Sequence, residues 1–501
     1  MASQSFGDPK VESFLDTVYN LIKDDALKKG TSRNEPVIEF KQPNELQALI
    51  NFEIKSTPSD HQELLAEIKK ILKYSIKSGH PHFHNMLYAG LDPYSQAGSW
   101  VTDAVNNNIH TYEVCPVFIL MEKYIFQKLL AMVGFDTGDG LFCPGGSASN
   151  CLALHLARFK RCPQIKKEGQ YNLPRLRCYI SEDGHYSLKK AGSYLGFGEN
   201  NIVPVKTDDI GRMCAQELEK KNTDVYFKKK QQHILFHFLK SFVPLFVMAT
   251  SGSTVLGSFD PLPELREVCK RYKVWLHCDA CLGAGTLLSK KYKYLLNGVE
   301  NCNSLSWNFH KMSGVPMQCS VLLINDKELM QEANSCSADY LFQPDKHYDT
   351  TFDTGDKTVQ CGRKVDVMKL WTMWKALGDD GMEARIDKAF DNSRYLLKKL
   401  NVTPGFRLVL PEFQCTNICF WYIPASLRGL TESPDWWKEL HKVAPKLKAR
   451  MVSAGTMMIG YQPLSSKGLV NFFRVVVHNP ACDHSDMDFV ISEMERLGRD
   501  L

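Results

Sequence analysis

Two residues with complementary chemistry follow apolar stretches of the chain. Asp279 comes directly after the apolar run 274–278, and Lys311 lies within the run 306–312. A lysine amine can condense with an aldehyde as a Schiff base. A carboxylate at the end of a buried strand can hold a pyridine nitrogen protonated, which makes the ring an electron sink. Either residue alone is more typical of a solvated charge or a turn, but the pair indicates chemistry on pyridoxal 5'-phosphate (PLP).

A glycine-rich segment upstream is suited to binding a phosphate. Residues 143–150 have the sequence Cys-Pro-Gly-Gly-Ser-Ala-Ser-Asn, and a helical apolar pattern follows over 151–158. Two glycines let the backbone approach an anion, and free amides at a helix start can bind it together with the hydroxyls of Ser147 and Ser149. The alternative is a glycine turn with an ordinary serine N-cap.

Two more apolar, strand-like runs end in polar loops. Residues 176–180 lead to His185, and residues 243–247 lead to Thr250. Ligands of open α/β sheets bind beyond the carboxyl ends of the strands. His185 could therefore stack on an aromatic cofactor, although a lone loop histidine is more often simply exposed. Thr250 could hydrogen-bond the ring oxygen of the cofactor.

These segments, in this order, resemble the group II pyridoxal-phosphate decarboxylases, within the branch of glutamate, cysteine sulfinate and acidic amino acid decarboxylases. The similarity extends from about Pro43 to the C-terminus. Besides the segments above, it includes the motifs at residues 340–346, 353–357, 360–363, 443–445, 460–463 and 471–474.

The resemblance implies an α/β protein with the aspartate-aminotransferase-like (type I) PLP fold. A mostly parallel sheet is expected in a large cofactor-binding domain at 91–370, followed by a smaller α+β domain at 371–501. Residues 1–90 are expected to form a helical segment that packs on the partner of a homodimer whose active sites lie at the subunit interface. Apolar residues at helical spacing in that segment, and strands alternating with helices after it, favour the same division.

The resemblance also implies roles for individual residues. Lys311 carries the cofactor, Asp279 pairs with the pyridine nitrogen, and His185 stacks on the ring. Tyr340 returns a proton to the substrate carbon after carbon dioxide leaves. The other expected cofactor contacts are Ser147, Ala148, Thr250, Asn308 and His310. The expected substrate contacts are Met86, Leu87, Tyr88 and Arg474, and Arg474 matches an arginine that binds a substrate carboxylate.

Three residues depart from the family pattern. Phe309 replaces the proline of Asn-Pro-His-Lys, so the turn that presents Lys311 loses a φ constraint and we expect looser placement of the lysine. Leu282 replaces a tryptophan near the cofactor. Met86 replaces a glutamine and offers no comparable hydrogen-bond donor, which weakens the carry-over of substrate preference.

Three functions fit this pattern. The leading prediction is α-decarboxylation of an acidic amino acid, cysteine sulfinate to hypotaurine and/or aspartate to β-alanine, because the segment 87–90 is most similar to that branch. The first alternative is glutamate decarboxylase, which forms 4-aminobutanoate. The second is a catalytically impaired, PLP-binding paralogue, which the three departures would explain.

Composition excludes several other classes of function. A net charge of +5 over 501 residues is too small to indicate a nucleic-acid partner. No run of eighteen apolar residues appears, and residues 1–5 lack a basic and apolar leader, so we expect a cytoplasmic protein without a membrane segment.

Other patterns could suggest metal or redox sites, or an added segment. The spacing of Cys278 and Cys281 is that of a redox or zinc pair, but we expect buried, reduced thiols. His80, His82 and His84 alternate without a cysteine or carboxylate cluster, so we predict no metal site. An atypical insertion at about 222–241 is rich in lysine and is expected to be either a solvated surface excursion or a translated remnant of misassigned gene structure, without an assigned function.

Overall fold

The structure, a computed structural model, describes residues 5–88, 90–171, 173–230 and 242–501. The chain divides into two compact units. We call residues 92–388 the large unit, and residues 1–91 with 389–501 the small unit. The N-terminal segment thus belongs to the same unit as the C-terminal residues, and the division into three domains stays a prediction.

The large unit is built on a seven-stranded sheet with the strand order β2-β8-β7-β6-β5-β3-β4. Its strands are β2 (Asp139–Cys143), β3 (Arg175–Ser181), β4 (Ile202–Val205), β5 (Phe242–Thr250), β6 (Trp275–Asp279), β7 (Ser304–Asn308) and β8 (Ser320–Ile324). The four pairs from β4 to β7 are parallel, and β8 runs antiparallel to both of its neighbours. The predicted mostly parallel sheet is confirmed. Because β3, β5, β6 and β7 are parallel, the loops after them leave the same edge of the sheet.

Helices connect these strands and begin at residues that suit helix starts. They are α4 (Pro93–Val105), α5 (Pro116–Val133), α6 (Gly146–Arg161), α7 (Ile165–Glu168), α8 (Ser187–Tyr194), α9 (Ala215–Lys230), α10 (Leu262–Tyr272), α11 (Leu329–Asn334) and the first part of α12 (Val367–Val402). Asp92 caps α4 by accepting a hydrogen bond from the Ser95 amide at 2.7 Å, and proline occupies the first turn of α4, α5 and α10. Gly134, at φ 80°, ends α5 in the left-handed conformation.

The small unit contains a five-stranded sheet with the order β1-β11-β12-β10-β9. Its strands are β1 (Phe83–His84), β9 (Phe406–Leu408), β10 (Asn417–Tyr422), β11 (Met458–Leu464) and β12 (Leu469–Val476). Its helices are α1 (Pro9–Leu21), α2 (Pro43–Leu49), α3 (His61–Tyr74), the end of α12, α13 (Pro434–Ala454) and α14 (His484–Gly498). The predicted helical stripe in the N-terminal segment lies on α1, and no side chain of α1 is buried.

The predicted insertion and the predicted absence of a membrane segment concern parts of the chain outside the two sheets. The first part of the predicted insertion belongs to α9, whereas residues 231–241 lie outside the described residues. In the part of the chain that the structure describes, no helix is both long enough and apolar enough to cross a membrane.

Candidate active site

A cavity of about 140 Å³ lies in the large unit where the loops after its parallel strands meet the start of α6. Its lining comprises Gly146, Ser147, Asn150, His185, Thr250, Gly252, Thr254, Asp279, Cys281, Leu282, Asn308 and Lys311. Six of the predicted cofactor residues therefore come together. They are Ser147, His185, Thr250, Asp279, Asn308 and Lys311.

The start of α6 forms one wall of the cavity and is shaped to receive an anion. No side chain of the described residues caps this helix, and Gly145 precedes it at φ 91°. A Cβ atom on Gly146 would lie 2.5 Å from Cys281 Sγ and 2.9 Å from Asn308 Nδ2, so only glycine fits there. An uncapped first turn leaves backbone amides available, and the positive end of the helix dipole favours a phosphate.

Lys311 is presented by the turn between β7 and β8. Its amide donates to the Asn308 carbonyl at 3.1 Å, and the Val315 amide donates to the Phe309 carbonyl at 3.1 Å. Phe309 is fully buried, and its ring stacks on Trp307 with centroids 4.3 Å apart. Packing of this ring thus restrains the turn at the position where the family has a proline.

Asp279 is a buried carboxylate with two hydrogen-bond donors. Asn150 Nδ2 donates to Oδ2 at 2.9 Å, and the Cys281 amide donates to Oδ1 at 3.2 Å. Burial by itself would raise the pKa of Asp279, but Lys311, the Cys281 thiol and the neighbouring histidines lower it below its usual value. Asp279 is therefore ionised at neutral pH, as a partner of a protonated pyridine nitrogen must be.

His185 and Thr250 occupy the loops after β3 and β5. The Ser187 amide donates to His185 Nδ1 at 3.2 Å, and burial, together with Lys311 and Lys190, lowers the pKa of the imidazole against the opposing effect of Asp279. A neutral ring with its proton on Nε2 follows. Thr250 Oγ1 is buried without a protein partner among the described residues, so the hydroxyl can bind a ligand in the cavity.

Three predicted residues of the large unit do not line the cavity. Ala148 lies in the first turn of α6. His310 is buried beneath the Lys311 turn, with Nδ1 2.9 Å from the Cys319 carbonyl oxygen, and burial lowers its pKa to about 4. Tyr340 is 80% exposed on a surface turn.

The predicted substrate residues lie in the small unit, where Arg474 contacts the residue that precedes Met86. Arg474 lies on β12 between β10 and β11, is 8% exposed, and donates through Nη2 to the Asn85 carbonyl at 3.2 Å. His478 Nδ1 is 3.0 Å from the Leu87 carbonyl oxygen, and the ring of Tyr88 lies 6.0 Å from that of Phe83. Met86 is 44% exposed.

The histidines with ligand-like spacing have other partners, and the two cysteines are not paired in a disulfide. His80 Nε2 is 2.9 Å from the Glu35 carbonyl oxygen, His84 Nδ1 is 3.0 Å from the Val476 carbonyl oxygen, and His82 pairs with Asp486 at 3.2 Å. Cys278 and Cys281 are buried free thiols.

Two residues that the sequence analysis did not single out also belong to this site. Asn150 lines the cavity and binds Asp279, and His277 lies behind Asn150, with Nε2 3.0 Å from Asn150 Oδ1. The alternation Trp-Leu-His-Cys-Asp over 275–279 was the available signal, because it places His277 and Asp279 on one face of the strand.

Comparison with known proteins identifies the family. Residues 43–423 match the model of the pyridoxal-dependent decarboxylase conserved domain. The chain belongs to this family. Human cysteine sulfinic acid decarboxylase is 47% identical over 99% of this chain and 98% of its own length, and mouse acidic amino acid decarboxylase GADL1 is 45% identical over 98% of this chain and 86% of its own length.

Solved structures confirm the type I fold of this decarboxylase. The crystal structure of mouse CSAD has a TM-score of 0.93 and 45% identity, and covers 99% of this chain and 100% of the mouse chain. The structure of Oryza sativa TDC with PLP and tryptamine, at 19% identity, has a TM-score of 0.86, covers 99% of each chain, and supports the fold alone. The predicted cofactor, PLP, and the predicted class of enzyme, an amino acid decarboxylase, are also confirmed by the family.

The cavity of this decarboxylase fits its cofactor in three respects. The Gly146 cradle at the start of α6 suits a phosphate, and the ionised Asp279 suits a protonated pyridine nitrogen. The Thr250 hydroxyl, which has no partner among the described residues, suits a ring substituent. Lys311 supplies the amine at the same cavity.

Proposed function

We propose that this decarboxylase removes the α-carboxylate of a small acidic amino acid, converting cysteine sulfinate to hypotaurine and/or aspartate to β-alanine. The observation that carries the proposal is the buried guanidinium of Arg474 against the backbone of the 83–88 segment, a cation suited to an acidic substrate. The relatives named as cysteine sulfinic acid and acidic amino acid decarboxylases, which align with at least 98% of this chain, support the same class of substrate.

The residues of the cavity divide the work of the reaction. PLP, when bound, would supply an electron sink for the electron pair that stays on Cα when its bond to the carboxylate breaks. Lys311 holds the cofactor covalently, and Asp279 keeps its ring nitrogen protonated. His185, neutral and half-buried, supplies a flat surface for stacking, and Thr250 binds the ring oxygen.

The remaining residues act on the phosphate of the cofactor and on the substrate. Ser147, Ala148, Asn308 and His310 hold the phosphate or its surroundings at the start of α6 and at the Lys311 turn. Arg474 binds a substrate carboxylate. Tyr340 lies on an exposed turn, from which its hydroxyl would return a proton to the substrate carbon after carbon dioxide leaves.

We also propose a cytoplasmic homodimer with active sites at the subunit interface. Exposed apolar side chains on and near α4 and α5 support a partner surface in the large unit, since such surfaces mark protein contacts when they cluster. They are Val101, Val105, Val114, Val117 and Tyr124, each at least 42% exposed. Free thiols at all sixteen cysteines suit a reducing compartment.

A carbon dioxide release assay across aspartate, cysteine sulfinate and glutamate tests the choice of substrate. We expect the two shorter acids to be preferred, because the bulk of Tyr88 would disfavour the extra methylene of glutamate, and one methylene supplies about 1–3 kcal/mol of discrimination. Met86→Gln should change the ranking and leave the absorbance of the bound cofactor unaltered. Met317→Gln is a matched control, because Met317 is an exposed methionine of the large unit outside the cavity lining. A wild-type preference for glutamate would contradict the specificity and leave the decarboxylase assignment intact.

Tyr340 and Arg474 should differ in their kinetic effects. Tyr340→Phe should spare cofactor binding and divert some turnovers to aldehyde, because it removes the proton donor. Arg474→Ala should chiefly raise KM, roughly 10- to 100-fold, since a charge-assisted hydrogen bond contributes about 1.5–3 kcal/mol. Arg407→Ala is the control for Arg474→Ala. Arg407 belongs to the same sheet, and its guanidinium pairs with Glu432 at the surface. If both variants changed kcat and KM by the same factors, and neither formed aldehyde, the result would argue against separate roles for Tyr340 and Arg474.

A further inference from the structure

A continuous line of hydrogen bonds leads from the Asp279 carboxylate into the core of the large unit. Asn150 Nδ2 donates to Asp279 Oδ2 at 2.9 Å, and Asn150 Oδ1 lies 3.0 Å from His277 Nε2. On the far side of the imidazole, Nδ1 lies 2.8 Å from Ser304 Oγ, to which Trp275 Nε1 donates at 2.8 Å. Asn150, His277 and Ser304 are each at most 1% exposed.

Strand geometry places these groups on one line. Trp275, His277 and Asp279 alternate along β6, so their side chains point to the same face of the sheet. Ser304 is the partner of His277 in the register with β7. Helix α6 packs on these strands and brings Asn150 between His277 and Asp279.

The charge of Asp279 orients the Asn150 amide and thereby sets the tautomer of His277, whose Nε2 also lies 3.3 Å from Ser306 Oγ. An ionised carboxylate only accepts, so the Asn150 amide must present Nδ2 to Asp279 and Oδ1 to His277. His277 Nε2 must then carry a hydrogen. Burial lowers the pKa of His277 to about 4, so the ring is neutral and its Nδ1 accepts from the Ser304 hydroxyl.

The same amide also reaches the other predicted ring-binding residue. Asn150 Nδ2 donates its second hydrogen to Ser187 Oγ at 3.0 Å, and the Ser187 amide donates to His185 Nδ1 at 3.2 Å. One side chain, Asn150, therefore connects the carboxylate intended for the ring nitrogen with the histidine intended for the ring face.

We propose that His277, acting through Asn150, is a positioning residue for PLP: its neutral imidazole fixes the Asn150 amide, which holds the Asp279 carboxylate toward the pyridine nitrogen. A buried polar line of this kind costs desolvation that an apolar core would avoid. Because this line of hydrogen bonds ends at the Asp279 carboxylate, a role in holding that carboxylate explains why the desolvation is tolerated. The inference rests on the role proposed above for Asp279.

Two substitutions of His277 separate positioning from packing. The amide nitrogen of glutamine can take the place of Nε2 and donate to Asn150, whereas that of asparagine corresponds to Nδ1 and stops short of it. Both are polar and smaller than or similar in size to histidine. Asn150→Leu breaks the same line from α6 and decides the question if His277→Asn does not fold.

The measurement is the dissociation constant of the apoenzyme for PLP and for its carbocyclic analogue, in which a C–H group replaces the ring nitrogen. We expect His277→Asn to weaken PLP binding roughly 10- to 100-fold, since a hydrogen bond to a charged group contributes about 1.5–3 kcal/mol, and to leave binding of the analogue unchanged. His277→Gln should restore most of the preference for PLP. Phe246→Leu is the packing control, because Phe246 stacks on His277 at 5.5 Å without taking part in the line. It should lower thermal stability and keep the preference.

The possible results of these binding measurements distinguish the positioning role of His277 from the role of Asp279. A wild-type preference for PLP over the analogue that survives in His277→Asn and Asn150→Leu would overturn the positioning role alone. Equal losses for PLP and the analogue in these variants would also overturn it, because they indicate a general structural role. Equal affinity of the wild-type apoenzyme for both compounds would overturn the role of Asp279 and the positioning role with it.

Discussion

Replacing Lys311 with alanine will abolish decarboxylation and remove the visible absorbance of covalently held cofactor from the purified enzyme. Lys311 is the one lysine among the described residues that line the cavity. Its amine shares that cavity with the Asp279 carboxylate, whose pKa it helps to lower. No other lining side chain can form a covalent bond with an aldehyde in the same way. The measurements are carbon dioxide release and the absorbance spectrum with PLP added.

A neighbouring lysine provides the matched control. Lys190, on α8, lies over the ring of Tyr186 at 4.7 Å and contributes to the lowered pKa of His185, but it does not line the cavity. Lys190→Ala should keep the absorbance and most of the turnover. Borohydride reduction of the wild-type enzyme followed by peptide mapping should place the label on Lys311, and a label on another lysine would refute the assignment.

Much of the site could be predicted from sequence because its residues follow strands. Runs such as 176–180 and 243–247 are mostly apolar and are followed by polar loops, so their boundaries are visible without a structure. Strands in a parallel sheet end at the same edge, so polar residues after them can be expected to meet. His185, Thr250 and Asp279 do meet there.

Asn150 and His277 could not be assigned on the same basis. The alternation over 275–279 places His277 on the same face of the strand as Asp279, but it gives the histidine no partner, and an asparagine inside a helix has no distinctive local pattern. Their function depends on which helix covers which strand and on the register of β6 with β7. Such long-range pairing is not encoded in a short window of sequence.

The departures from the family pattern illustrate the same limit. Sequence alone shows that Phe309 lacks the φ restraint of a proline. Only the packing reveals what replaces it, because Phe309 is fully buried against Trp307 and its carbonyl accepts from Val315. Leu282 does lie in the cavity lining, as its place after Asp279 predicts.

The C-terminal boundary of the large unit could not be located from the sequence either. Helix α12 runs from Val367 to Val402 and crosses the border between the two units, at residues 388 and 389. A helix that continues through a boundary has no glycine-rich or proline-rich linker to indicate it. The backbone does depart from helical geometry at Gly378, with φ 65°, but that position lies inside the large unit.

Replacing Asp279 with asparagine should leave a folded enzyme that retains some cofactor and loses most of its turnover. Asparagine has the shape of aspartate, and its Oδ1 can still accept from Asn150 or from the Cys281 amide. Its neutral amide cannot stabilise a positive charge on the pyridine nitrogen, so the electron sink is lost. A hydrogen bond to a charged group contributes about 1.5–3 kcal/mol, and its loss alone would lower kcat roughly 10- to 100-fold. Because the electron sink is lost as well, we expect the decrease in kcat to reach or exceed the upper end of that range.

The decrease should appear in kcat more than in cofactor content, because Lys311 and the start of α6 still bind PLP. Carbon dioxide release and the ratio of bound PLP to protein measure the two separately. Asp366→Asn is a matched control, since Asp366 is a buried carboxylate of the large unit that pairs with Lys369 at 2.7 Å and does not line the cavity. It should lower the unfolding temperature and affect kcat far less. Near-normal turnover in Asp279→Asn would show that this carboxylate does not hold the ring nitrogen protonated, whatever its position in the cavity.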